Sequence, residues 1–139
     1  MALIERIKIY KQIEEKRGNP LVVYVTSQRQ GAIGSMAGDV IDEFIDQIES
    51  IDKRGDVLDV LIESTGGDPL TSWRIIALIR TSFKKVNVLV SHSAFSAATL
   101  LALGADEIIM GPYGSLGPID PQITTRKKDG TTPQFGYED

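Results

Sequence analysis

An α/β fold built on a mainly parallel sheet is what the sequence predicts, and two observations predict it. Short β-branched runs, LVVYV at 21–25, VLDVLIE at 57–63, VNVLV at 86–90 and EIIM at 107–110, alternate with stretches of helical spacing. Several of these runs are close to continuously apolar, as strands covered on both faces are. Strands and helices in that order imply repeated ββα/βαβ units with right-handed crossovers. The 139 residues suit a single domain over 1–139, with a modest core.

The elements follow in order. Leu3, Ile4, Ile7, Tyr10 and Ile13 recur at helical spacing, which predicts a helix over 3–16. Arg17-Gly18-Asn19-Pro20 closes it and serves as a linker over 17–20. After the first strand comes a polar, Gly-bearing loop over 26–34. Met36, Val40, Ile41, Phe44, Ile45, Ile48 and Ile51 then mark one face of a helix over 35–51, with acidic residues on the other. The second strand leads into Ser64-Thr65-Gly66-Gly67-Asp68-Pro69 and a helix over 70–82. The third leads into a small-residue turn over 91–96 and a short apolar helix, AATLLALGA. After the fourth strand, residues 111–118 form a Gly/Pro-rich bend. The tail over 123–139 is polar and stops where another element would begin, so the chain reads as a domain cut from something longer.

Composition removes several functions. Apolar residues make up 42% and charged residues 24%, an ordinary globular balance. The net charge of -4 gives no bulk attraction to nucleic acid or anionic lipid. There is no cysteine, hence no disulfide or thiolate nucleophile, and a single histidine argues against a histidine-based metal centre. No apolar run nears the ~20 residues of a membrane span, and Met1 to Tyr10 lacks the pattern of a signal peptide. The expectation is a cytoplasmic chain with no nucleic-acid partner, no metal and no cofactor.

Ligands of parallel α/β folds meet the carboxyl ends of the strands, so the turns after each strand are the places to look. Gly66-Gly67 lets backbone N–H groups approach a ligand with no side chain between. Ser96 sits where the next such turn becomes a helix, with the Ala97 N–H beside it near the positive end of a helix dipole. If the second and third strands are neighbours, the Gly67 and Ala97 amides converge on one oxygen. Such pre-oriented donors contribute roughly 2.7–4 kcal/mol each to stabilising an oxyanion. Each feature alone has an ordinary reading, a Gly-Gly turn and a serine N-cap. On consecutive βα units, in this order, they form a set.

The run from Ile62 to Gln122 resembles the Clp-protease/crotonase fold, and within it the signal-peptide-peptidase-A-like and serine dehydrogenase proteinase group. The resemblance rests on a strand ending in Gly66-Gly67, on the turn Ala94-Phe95-Ser96-Ala97, on the strand Ala105 to Met110 and on the bend Ser115 to Gln122. It implies a serine peptidase, itself independent of ATP, with Ser96 as nucleophile. The oxyanion hole would be built from Gly67 and Ala97, with Gly66 beside them. It also implies a peptide or protein substrate and a homo-oligomer. A crotonase-like acyl-CoA enzyme using the same amides, and a non-catalytic assembly or interaction module, are the alternatives.

The general base is the open question. Clp-type peptidases draw a histidine from the segment after the fourth strand, which here reads Gly117-Pro118-Ile119-Asp120. Signal-peptide-peptidase-A-like enzymes use a lysine further downstream or from a neighbouring subunit. Lys127 and Lys128 are the only lysines after Ser96, and a lysine base must be partly desolvated to work near neutral pH. His92, four residues before Ser96, could reach the hydroxyl if the turn folds back. Asp68 reads first as a helix cap before Pro69. Trp73, Phe95 and Tyr113 are aromatics that could line a substrate groove.

Overall fold

A computed structural model of the chain describes residues 3–52 and 55–119, together with two short paired strands, Ile123–Thr124 and Gln134–Phe135. Strands β1 (Leu21–Val25), β4 (Val57–Ser64), β5 (Lys85–Ala94) and β6 (Glu107–Met110) lie side by side in that order, all parallel. β7 (Ser115–Leu116) pairs with the far end of β5. A two-residue hairpin, β2 (Gln28–Arg29) with β3 (Ala32–Ile33), occupies the loop after β1. The pair at 123–124 and 134–135 is β8 and β9.

The register puts Val22 beside Val60 and Val60 beside Val88, so even-numbered residues share one face of the sheet. Leu58, Val60, Ile62, Val86 and Val88 on that face have no exposed surface. They form one core with Ile41, Phe44 and Ile48 of α2 (Val40–Glu49), Ile75 and Ile79 of α3 (Pro69–Ser82), and Ala97, Ala98 and Leu101 of α4 (Ala97–Leu103). The Tyr24 and Phe44 rings meet at a tilt, centroids 5.7 Å apart.

The odd-numbered face carries the row Asp59, Asn87 and Glu107, and α1 (Leu3–Arg17) lies against it. Polar tethers hold the helix there. Arg17 pairs with buried Asp59, which raises the Arg17 pKa chiefly through their hydrogen bond. Glu14 accepts the Leu21 N–H at 3.0 Å. Asp59 also accepts from Asn87 Nδ2 at 2.8 Å, so its charge is solvated by protein donors. No residue of α1 is buried, and Leu3, Ile4 and Ile7 face outward. The helical period of α1 therefore marks a face that is half-buried at Tyr10 and Ile13 and left exposed at Leu3, Ile4 and Ile7.

The structure departs from several of the predicted elements. α2 begins at Val40 instead of residue 35, because Met36 runs extended beside Gly67. β5 runs on to Ala94 through residues predicted as a turn, because its end gains a partner in β7. Opposite Ile62–Ser64, β5 uses the four-residue step Val90–Ala94 and bulges. The 26–34 loop, expected without structure, contains the β2–β3 hairpin.

Candidate active site

β4 and β5 are parallel neighbours, so the turns that follow them emerge at the same end of the sheet. The Phe95 N–H donates to the Ser64 carbonyl at 2.9 Å, which fixes the second turn against the first. Gly66 sits between them. An ideal Cβ there would fall 2.8 Å from Ser96 Cβ and 2.9 Å from Ala97 N, so only glycine lets the turns come this close.

Ser96 has φ 52° and ψ -121°, and it is the one non-glycine residue with positive φ among the described residues. Such a conformation costs about 1–3 kcal/mol and persists only where its surroundings impose it. Here they do. Thr99 Oγ1 donates to the Ala94 carbonyl at 2.6 Å, and the Gly117 N–H donates to that same carbonyl at 3.1 Å and to Thr99 Oγ1 at 3.2 Å. The Phe95 side chain packs against Gly117, where any Cβ would strike it. The result is a sharp strand-to-helix turn with Ser96 half-buried at its tip. The Ser96 hydroxyl makes no capping bond to α4, so the ordinary reading of this serine as a helix cap does not hold.

Gly67 is held by a parallel bridge to Met36. The Met36 N–H donates to the Gly66 carbonyl at 2.7 Å, and the Asp68 N–H donates to the Met36 carbonyl at 2.8 Å. Backbone groups alternate along an extended segment, so the Gly67 N–H faces away from Met36. Ala97 is the first residue of α4, where an N–H has no partner within the helix. Among the described residues, neither the Gly67 nor the Ala97 N–H donates a hydrogen bond. Gly66 differs. Its N–H donates to Ser64 Oγ at 3.0 Å, which takes it out of the candidate oxyanion donors.

The candidate bases fare differently. β5 continues to Ala94, so the segment from His92 does not fold back as a turn toward Ser96. His92 is exposed on the bulged strand, and its carbonyl accepts from Ser115 Oγ at 3.1 Å. Among the described residues no ionisable side chain bonds Ser96 Oγ. Lys127, Lys128 and Asp120 lie outside the described residues. Asp68 caps α3, accepting from Thr71 Oγ1 at 2.7 Å and from the Leu70 and Thr71 N–H groups. Those bonds, the Thr71 hydroxyl first, hold its carboxyl below the usual range.

Trp73 is two-thirds exposed and, with Pro69, Ser72, Ile76, Leu100 and Gly104, lines an apolar cavity of about 220 Å³ between α3 and α4. Tyr113 stands out in the β6–β7 turn. Sequence reasoning missed two residues that shape the site, Ser64 and Thr99. The one available signal was a hydroxyl at position 64, in phase with the buried apolar positions 58, 60 and 62. No group of three or more His, Asp or Glu suited to a metal ion occurs among the described residues, and none of their helices is long and apolar enough to cross a membrane.

Known proteins resemble this chain in sequence and in fold. A model of the ClpP-like SDH-type serine proteinase family matches residues 1–129. Two uncharacterized proteins of Methanocaldococcus jannaschii, MJ1495 and MJ0137, are each 31% identical over 129 residues. Those stretches cover 87% and 86% of this chain but only 43% and 44% of the relatives, so the chain spans less than half of their length. Among solved structures, a mutant of the membrane-bound stomatin-specific protease 1510-N superposes with a TM-score of 0.60 at 23% identity, over 82% of this chain and 54% of that one. The ClpP protease catalytic domain from Plasmodium falciparum gives 0.51 at 14% identity, over 76% and 60%. These likenesses bear on the fold, a ClpP-like α/β layer with a parallel sheet. With the family match spanning nearly the whole sequence, the chain belongs to the ClpP-like SDH-type serine proteinases.

Proposed function

We propose that this chain carries the nucleophile and oxyanion hole of a serine peptidase that cleaves peptide bonds through an acyl-enzyme. Ser96 Oγ attacks the scissile carbonyl carbon while a base takes its proton. The carbonyl oxygen gains the negative charge and is held by the Gly67 and Ala97 N–H groups. Collapse of that intermediate breaks the C–N bond, and the amine leaves with the proton. Water then repeats the sequence on the ester and restores Ser96. The observation that carries this reading is a strained, uncapped serine beside two amides, Gly67 and Ala97, that donate to no group among the described residues.

The base in this proposal is a lysine, either Lys127 or Lys128 or one supplied from further along the protein or from a neighbouring subunit. It must be brought against Ser96 and shielded from water, since an ammonium in bulk solvent keeps its proton near pH 7. The substrate class is protein or peptide, and the working form a homo-oligomer. The absence of a described ionisable group on Ser96 Oγ favours a second reading, an interaction module that keeps the fold without turnover.

Hydrolysis of casein and of a mixed peptide library by the full-length protein separates the two. Turnover abolished by Ser96→Ala supports the peptidase. A folded wild type that releases no new amino termini supports the module.

A further inference from the structure

We infer that Ser64 is a positioning residue for the oxyanion hole, acting through its hydroxyl on the loop that carries the Gly67 amide; the inference rests on the peptidase reading of the site. Ser64 ends β4 with no exposed surface, in phase with the apolar core positions 58, 60 and 62. A hydroxyl in such a place is costly unless it is fully used.

Its hydroxyl and carbonyl oxygens are both engaged, and between them they reach three segments. Ser64 Oγ accepts the Gly66 N–H at 3.0 Å and the Thr26 hydroxyl at 2.9 Å. The Ser64 carbonyl accepts the Phe95 N–H at 2.9 Å. One residue thereby ties the Gly66-Gly67 turn, the residue before Ser96 and the end of β1 to a single point. The carbonyl bond survives any side-chain change. The hydroxyl bond does not, so Ser64→Ala releases the Gly67 side and leaves the Ala97 side in place.

Gly66 and Gly67 have φ of 95° and 153°, and two consecutive glycines have little stiffness of their own. Met36 braces them from one side. Ser64 Oγ braces them from within the turn and sets the tilt of the peptide that follows. Loss of that brace lets the Gly67 N–H wander from the spot where the oxyanion forms. Because the charge exists only in the transition state, the loss falls on kcat and leaves KM in place.

The test compares the full-length wild type, Ser64→Ala and Thr26→Val, the last removing only the second hydroxyl from Ser64 Oγ. Ser64→Ala is expected to lower kcat by about 10- to 100-fold with KM within about twofold, the scale of a misplaced catalytic contact. Thr26→Val should lower kcat less, in the same direction, and it decides the matter alone if Ser64→Ala fails to fold. A folded Ser64→Ala with wild-type kcat, or an equal loss in kcat and substrate affinity, overturns the inference. Amide order parameters supply the independent arm. Gly66 and Gly67 should drop from about 0.85 to below about 0.6 in Ser64→Ala while Ala97 stays rigid. Unchanged values at Gly67 overturn the inference. Absence of Ser96-dependent turnover in the wild type overturns the peptidase reading instead, and the order parameters then judge the bracing by itself.

Discussion

Gly67 and Met36 form a parallel bridge in which residue 36 takes up the Gly66 carbonyl and the Asp68 N–H, leaving the Gly67 N–H directed to the opposite side. The closeness of that bridge makes residue 67 intolerant of change. A Cβ there would collide with the Met36 backbone, and the φ of 153° is unfavourable for any L-residue. Gly67→Ala should reduce Ser96-dependent turnover about 100-fold or more, the scale of losing one oxyanion donor. Steady-state kinetics on the purified variant, with circular dichroism to show it folded, checks this.

Ser96 carries a second consequence of geometry. Its backbone occupies a region natural to glycine, so Ser96→Gly removes strain that Ser96→Ala retains. Urea denaturation should find the glycine variant about 1 kcal/mol more stable than the alanine variant, after the greater flexibility of glycine in the unfolded chain is set against the relief. Both variants should lack turnover. Alanine equalling or exceeding glycine in stability would mean that the turn is relaxed.

Thr99 is buried, and its hydroxyl joins the Ala94 carbonyl, the start of the serine turn and Gly117. Thr99→Val keeps the shape and deletes those bonds. It should lower stability by about 1–3 kcal/mol, the cost of stranding buried polar groups. It should also slow modification of Ser96, because the turn loses one of its restraints. Chemical denaturation and labelling rate measure the two effects.

The Asp68 cap sets a pH dependence. Its folded pKa lies below the unfolded value, the Thr71 hydroxyl bond being the main cause and the Leu70 amide the next. The stabilisation it supplies is therefore present in full above the unfolded carboxylate pKa and is lost as pH falls through the folded one. Asp68→Ala should lower Tm at pH 7, and the gap to wild type should close as pH falls below about 4. A gap that stays constant from pH 7 to pH 3 would show that the carboxylate charge is irrelevant to the cap.

What the sequence made legible follows from which signals are local. The β-branched runs and the cap at Asp68-Pro69 act within a few residues, and β1, β4, β6 and α3 appear where those signals lie. The end of β5 was hidden because Ser91 to Ala94 are small or polar and become strand only through pairing with β7. Met36 fits the helical period yet runs extended, since the Gly66-Gly67 turn claims its backbone. Ser96 and Gly67 were visible as a serine and a glycine pair after consecutive strands. The grips of Ser64 and Thr99 were not, because each hydroxyl joins a near partner to one 38 or 18 residues away, and the distant half is set by the fold. His92 was expected to reach Ser96 only if its turn folded back, and β5 continues through it instead.

The central claim is that Ser96 is an activated nucleophile beside two waiting amides. Treating the full-length protein with a fluorophosphonate and mapping the adduct by peptide mass spectrometry tests it most directly. One phosphonyl group on Ser96, absent from Ser96→Ala and strongly reduced in Gly67→Ala, is the predicted result. A folded protein that takes up no label, or takes it elsewhere with Ser96 untouched, would contradict the account.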